Sequence, residues 1–369
     1  MTTSTGPPDL RGAVAARLAV APARVSIATY ATDGWSSSDS RFDAVSVQHD
    51  DGERRYVLKT TSWQTDWTMR ATGDALGRAV RLWQHGVLAR LPDEVEHATV
   101  AAWADPDGRQ FLLMHDARSE LLPEGIIPEA TEELILDALA AIHARFLGDP
   151  SLDDPRLGLC TPTDLYRVFS PAGARAAAGP RPPRAVRMIL EGWELLDIVL
   201  DPDVRTALRS LVHDPSPLAT GLAQFPRTLV HDDFRMANLG VVPRSGRLLV
   251  LDWARAAAAP PAVDLAWHLA IERLGLPWSR ERVIATYEAR LRHHLRVDRL
   301  PAWWDHQLRL ALLGGVMQFG PFQAAIAREA ILGGDPCFDV DDLAGWWSDR
   351  IREALPLLPG ERSTRSRGP

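Results

Sequence analysis

One stretch of this 369-residue chain sets a histidine, two carboxylates and an amide at short, fixed spacing: His231-Asp232-Asp233-Phe234-Arg235-Met236-Ala237-Asn238. A further carboxylate follows at the end of the next apolar run, in Leu251-Asp252-Trp253. Moving a phosphoryl group between oxygens needs a carboxylate that receives or orients a hydroxyl proton, with an amide oxygen and a second carboxylate that hold a hard cation. Asp and Asn are also ordinary turn residues, so no single member of this group says much. The signal lies in their combination: one polar loop, two flanking apolar runs and a trailing Asp.

A second chemical feature is compositional. Of the 41 lysines and arginines, Lys59 is the one lysine. An ammonium is a compact point charge and a guanidinium a wide planar fork. A single lysine in an arginine-rich chain therefore marks either a place where the fork does not fit or the one cationic position that escaped by chance.

The elements that must position these residues follow from periodicity. Residues 25–61 read as β structure: Val45 and Val47 alternate, Asp51-Gly52 is a hairpin-turn signal, and Arg55-Tyr56-Val57-Leu58-Lys59 forms the return strand, with Lys59 at its end facing an open cleft. Helical spacing of apolar residues runs from 69 to 91, and Phe111-Leu112-Leu113-Met114 reads as another strand. Beyond residue 130 the pattern is mainly helical, near 131–146, 185–212, 263–297, 303–332 and 340–355, with the Pro-rich segment 171–183 read as a flexible connection. Arg227-Thr228-Leu229-Val230 and Arg247-Leu248-Leu249-Val250-Leu251 are β-like runs that place the polar loop in a hairpin-like unit.

The His-x-Asp-x4-Asn loop with its strand-end Asp resembles the aminoglycoside phosphotransferase and choline kinase-like family, whose loop usually reads His-Gly-Asp-x4-Asn. That resemblance implies a two-lobed, protein-kinase-like α+β fold with a small β-rich N-terminal lobe and a larger, mainly α-helical C-terminal lobe. The expected divisions are 1–116, 117–358 and a disordered tail at 359–369. It implies Asp233 as the catalytic carboxylate, Asn238 and Asp252 as magnesium ligands, and His231 and Asp264 as braces of the loop. Lys59 ends Tyr-Val-Leu-Lys, which parallels the kinase strand whose lysine meets the α- and β-phosphates. Ser36 and Ser37, within Asp33-Gly34-Trp35-Ser36-Ser37-Ser38, would supply backbone N–H groups to phosphates. Met114, His115 and Asp116 would form the hinge at the nucleotide base, although the same residues also describe a buried strand leading into a solvent turn.

Two departures from the family pattern and one contrast with protein kinases stand out. Asp232 replaces the usual Gly, adding a negative charge that could disturb metal placement or contact a cationic substrate. In the small-lobe helix Arg78 is followed by Ala79 where the family commonly has Glu, leaving Asp74 as a substitute partner for Lys59. The 12 residues from Asp252 to Asp264 leave no room for a long activation segment, which disfavours a protein substrate.

Composition bounds the rest. A net charge of −7 and a pI near 5.9 disfavour a general nucleic-acid surface. The absence of an uninterrupted apolar run of about 18 residues, or of a basic leader, places the protein in the cytoplasm with no membrane partner. Cys160 and Cys337 are too far apart in sequence to suggest a ligand pair and are expected as buried, reduced thiols. The expected cofactors are Mg2+ and ATP, with GTP as the alternative nucleotide, and the expected partner is a small hydroxylated molecule. Oligomeric state is left open. A catalytically inert nucleotide-binding pseudokinase is the competing function, and a His231-Asp232 phosphohydrolase a third, for which the surrounding helices supply no further metal ligands. Glu191, Glu194 and Asp197 could attract a cationic amine or form a solvated acidic face, and Trp193, Trp267, Trp303 and Trp304 could shape a pocket or simply pack.

Overall fold

The computed structural model describes residues 9–30, 40–123, 125–178, 182–271, 275–333 and 343–359. Helix α1 (Leu10–Leu18), capped by the Asp9 side chain on the Gly12 amide, leads into strands β1 (Val25–Thr29), β2 (Arg41–His49) and β3 (Gly52–Ser62). Helices α2 (Trp67–Ala71) and α3 (Arg78–Gln84) follow, then β4 (Val95–Glu96), β5 (Thr99–Ala104) and β6 (Arg109–His115). Five of these strands form an antiparallel sheet in the order β1-β2-β3-β6-β5.

Period-two alternation gives this sheet two different faces. Val45, Val47, Leu58, Phe111 and Leu113 lie on one, packed with Val14 and Ala15 of α1. The register sets Lys59 opposite Phe42 and Leu112, on the other face, toward the second lobe.

The second lobe is helical: α4 (Glu129–Phe146), α5 (Pro162–Val168), α6 (Pro171–Ala177), α7 (Arg184–Val199), α8 (Pro202–His213) and α9 (Ser216–Leu222) precede the polar loop. Short strands β7 (Thr228–Val230), β8 (Leu239–Val241), β9 (Leu248–Val250) and β10 (Ala257–Ala259) frame that loop, and α10 (Ala262–Ile271), α11 (Arg280–Leu295), α12 (Trp304–Gly333) and α13 (Ser348–Ala354) complete the chain. One stretch of α12, Trp304–Arg328, is long and apolar enough to cross a membrane, and 83% of its apolar window is buried inside the protein, against α7 and α10. Gly192 permits a backbone-to-backbone crossing of α7 and α12, because a Cβ there would collide with the Pro321 carbonyl.

Several sequence expectations change. The helix expected over 69–91 is broken by Gly73 and Gly77, both at positive φ, into α2 and α3. The β2–β3 turn residues are Asp50 and Asp51, and Gly52, at φ 131, already belongs to β3. The segment at 171–183 is not simply a connection: Pro171 opens α6, whose first turn is capped by the Ser170 hydroxyl. The pattern at 185–212 divides at Asp201-Pro202, where the proline opens α8, and 263–297 divides into α10 and α11. The runs flanking the polar loop do not pair with one another. β7 pairs with β10, while β9 pairs with β8 and, in parallel, with β4 from the N-terminal part of the chain. Cys160 is buried and free, and burial pushes its thiol up to about 12, while Cys337 and 360–369 fall outside the described residues.

Candidate active site

The polar loop is held by its backbone. Asp264, in the first turn of α10, accepts the His231 amide on Oδ2 at 2.6 Å and the Asp232 amide on Oδ1 at 2.7 Å. Its Oδ2 also meets His143 Nε2 of α4 at 3.3 Å, and His143 Nδ1 lies 2.6 Å from the Tyr287 hydroxyl. The His231 ring spans the loop: Nδ1 accepts the Asp233 amide at 3.2 Å, which leaves Nε2–H to donate to the Leu251 carbonyl at 2.7 Å. One imidazole thereby ties the strand that ends in Asp252 to the residue that carries Asp233.

Asp233 and Asn238 are directly joined. The Asn238 Nδ2 donates to the Asp233 backbone carbonyl at 2.9 Å and to its Oδ2 at 2.8 Å, so the amide plane directs Asn238 Oδ1 the other way. Arg235 Nε stands 3.2 Å from Asp233 Oδ1. Asp252 adopts φ 56, a conformation uncommon for any residue but glycine, and one that Asp and Asn tolerate best. Its Oδ2 accepts from Lys59 Nζ at 2.8 Å, and its Oδ1 is buried without a hydrogen-bond partner. Burial pushes the Asp252 carboxyl up, but the adjacent Lys59 ammonium, with His231 and Arg235, outweighs this and holds it below the usual carboxylate range.

Lys59 is only 6% exposed and lies within β3, not at its end, because pairing with β6 continues to Ser62 and Arg109. Asp74 does not serve as its partner. Both Asp74 oxygens accept the Arg78 amide at 2.9 Å, which caps α3. A carboxylate that the sequence reading missed is nearer in effect: Asp66 caps α2 on the Thr68 and Met69 amides and is buried where the charges of both Lys59 and Asp252 act on it. The sequence signal was an Asp before Trp67-Thr68-Met69, an N-cap pattern with nothing to tie it to Lys59. Arg78, fully buried, fastens α3 to the second lobe by donating to the Gly158 and Ala254 carbonyls at 2.6 and 2.5 Å.

Asp232 is not beside the reaction centre in the sense expected. Its side chain is completely buried, ion-paired with Arg255 and bonded on Oδ1 by Gln318 Nε2 of α12 at 2.8 Å. Burial pushes this carboxyl up and the Arg255 guanidinium opposes the rise. Arg255 in turn lies against the rings of Phe169 and Trp267, at 4.5 and 4.4 Å from their centroids. The residue's φ of 57 explains why glycine suits this position and Asp can replace it. Asp232→Gly keeps that backbone freedom but strands the Arg255 charge, so unfolding free energy is expected to fall by about 3–5 kcal/mol in urea titrations. A loss under about 1 kcal/mol would show that Arg255 needs no partner.

Two cavities meet at Lys59 and Asp252. The smaller, about 140 Å³, is lined by Phe42, Met114, Ala98, Asn238 and Leu251 among others. The larger, about 640 Å³, has Asp233 on its wall and extends between α2, α7, α10 and α12. Met114 thus faces the cleft. The His115 ring instead stacks on Tyr56, Asp116 binds Arg118, and their amides bond the Ala98 and Arg55 carbonyls. Ser36 and Ser37 lie outside the described residues. Glu191 pairs with Arg328 and Asp197 with Arg209, and neither of these nor Glu194 lines either of these two cavities. Of the four tryptophans singled out, Trp267 lines the larger one.

A β-rich lobe over a helical lobe, with a buried lysine and an Asp-Asn-Asp cluster at their junction, is the protein-kinase-like architecture. Residues 36–304 match the family described as the phosphotransferase enzyme family, APH. The match covers well over half of the chain, and the protein belongs to that family; it is a small-molecule kinase. Similar solved structures include Streptococcus pneumoniae choline kinase LicA, 14% identical, covering 94% of this chain and 96% of that one with a TM-score of 0.43. A Plasmodium vivax ethanolamine kinase is 12% identical, with 91% and 83% covered and a TM-score of 0.46. Aminoglycoside phosphotransferase APH(3'')-Id of Streptomyces rimosus, solved with ADP and streptomycin, is 16% identical, with 74% and 90% covered and a TM-score of 0.41. No curated protein matches the chain.

Proposed function

We propose that the protein transfers the terminal phosphoryl group of Mg-ATP to a hydroxyl of a small molecule, with Asp233 taking the hydroxyl proton. The observation that supports this most is the meeting of two cavities at one set of side chains: Lys59, Asn238 and Asp252 on the smaller, and Lys59, Asp233 and Asp252 on the larger. The smaller accommodates the nucleotide base against Met114 and Phe42, and the larger receives the acceptor.

The residues present fit a magnesium ion bound through nucleotide phosphates. Asp252 Oδ1 is a buried, unsatisfied anionic oxygen and Asn238 Oδ1 is turned away from Asp233. Among the described residues no group of three or more His, Cys, Asp or Glu could hold a metal unaided, in keeping with a cation that relies on one or two protein ligands plus phosphate. Bound there, magnesium would neutralise charge developing on the transferred group. The chain's own residues do the remaining work. Lys59 supplies a point charge to the phosphates, and Asn238 fixes the Asp233 carboxylate. As the acceptor oxygen bonds to phosphorus and the bond to the departing ADP oxygen breaks, Asp233 accepts the acceptor's proton.

Purified protein with ATP, magnesium and a panel of hydroxyl compounds tests the reading directly. Phosphorylated product supports it; Mg-ATP binding with no transfer to any compound would instead mark a nucleotide-binding protein without kinase chemistry. Lys59→Arg probes the lysine. A planar fork in a site this buried displaces the phosphates and overpacks its surroundings, so turnover should fall by about 10²-fold and stability by about 1–3 kcal/mol. Unchanged steady-state kinetics and melting would remove Lys59 from the site.

A further inference from the structure

The wall of the larger cavity carries chemistry that selects among acceptors. Away from Lys59 it is built from Met188 of α7, Trp267 of α10, Phe319 and Phe322 of α12, Phe169 and Ile326. Among the described residues, its carboxylates are all at the opposite end and already engaged: Asp252 with Lys59, Asp233 with Asn238 and Arg235, Asp66 and Asp74 as helix caps. The charged groups elsewhere on the wall are Arg184 and Arg255. Arg255 is 7% exposed and ion-paired with Asp232.

From this wall, and resting on the phosphotransferase reading, we infer that the acceptor is an uncharged or anionic hydroxyl compound with a bulky, ring-bearing apolar body, not a polycation or a small quaternary amine. Apolar surface buried against the aromatic side chains supplies the affinity. An ammonium group carried to the same place would be desolvated with no carboxylate among the described residues there to receive it. Arg184 and Arg255 give that part of the wall positive charge, which disfavours a further cation there. A volume of about 640 Å³ fits a body of several rings. Whereas Glu191, Glu194 and Asp197 on α7 suggested an attraction for amines, none of the three reaches the cavity.

The test uses the full chain. Anilinonaphthalene sulfonate, an aromatic anion, reports binding by its emission; nitrophenyl β-glucoside and the uncharged macrolactone erythronolide compete with it, as do kanamycin and choline in separate titrations. The uncharged compounds are expected to displace the probe at concentrations at least about tenfold below either cation, matching about 1.4 kcal/mol of discrimination. Two variants locate the effect, with Mg-ATP affinity as the control. Ala185→Leu fills the wall and should weaken probe binding, and Ile326→Glu, at a half-buried position that can accept the change, should weaken the probe and strengthen kanamycin binding. Displacement by kanamycin or choline as readily as by the uncharged compounds overturns the inference, as does probe binding that neither variant alters. Absence of phosphoryl transfer with the displacement pattern intact would overturn the kinase reading and leave the ligand class standing.

Discussion

Turnover of the Asp233→Asn variant is expected to fall by about 10³-fold or more while the protein still folds and binds Mg-ATP. An amide has the size and hydrogen-bonding reach of the carboxylate but cannot take up the acceptor's proton, and general-base catalysis of this kind is worth about 10²–10⁴ in rate. The geometry adds a second loss. Asn238 donates to both the backbone and the side chain of Asp233, and an Asn at 233 can satisfy that donor through its own Oδ1 only by turning its NH2 toward the acceptor. A donor then faces the group that must itself give up a proton. The fold has little reason to respond, because the loop hangs on Asp264 and His231 through main-chain amides and not on the Asp233 side chain. Single-turnover kinetics with calorimetric measurement of Mg-ATP affinity separates the two expectations. Near-normal turnover would take the proton-accepting role away from Asp233.

Asp252→Asn should act on the other half of the reaction, weakening Mg-ATP binding by about 10²-fold, about 2.7 kcal/mol. Asn is chosen because it shares with Asp a tolerance for the φ of 56 found at this position, so the backbone is not asked to change. What disappears is charge. A hard divalent cation loses its main anionic ligand, and Lys59 loses the carboxylate 2.8 Å away. The nucleotide-free protein should be only modestly less stable, because Asp252 is half-buried and Asp66 still places a carboxylate near the ammonium. Calorimetry that finds the same magnesium-dependent affinity in both proteins would remove Asp252 from the metal site.

The site and the fold were legible to different depths, for physical reasons. His231, Asp233, Asn238 and Asp252 could be read together because they lie on one loop and the strand end after it, where spacing in sequence nearly fixes spacing in space. Lys59 could be read because the composition isolates it. The contacts that give these residues their surroundings are remote in the chain and left no local trace. Asp232 finds Arg255 and Gln318, the latter 86 residues away, so a buried, neutralised side chain looked like a surplus charge in the cleft. Asp66 passed unnoticed, because its only local trace is an N-cap pattern before Trp67. Strand existence was visible at Thr228–Val230 and Leu248–Val250, but the partner of each was not, since a buried run of three residues pairs as well with one edge as another until the rest of the lobe is in place. The division of the helix expected at 69–91 turned on two glycines with left-handed backbone, between which the chain changes direction before α3, anchored by Arg78 to the second lobe.

The solitary lysine gives the protein an uncommon covalent property. Amine-directed reagents normally decorate a protein surface at many points, but here the side chains offer them one target, and it sits 6% exposed at the junction of the two cavities. Apart from the terminal amine, every adduct such a reagent forms with a lysine is an adduct at Lys59. An acylating group attached to a nucleotide or to a cavity ligand would therefore tag one known atom, and the yield of the tagged chain would count occupied sites without any knowledge of the natural acceptor. The same arithmetic applies inside a cell: enzymes that acylate lysine side chains find nothing to modify on the arginine-covered exterior, and any such mark on this chain falls on the ammonium that Asp252 holds.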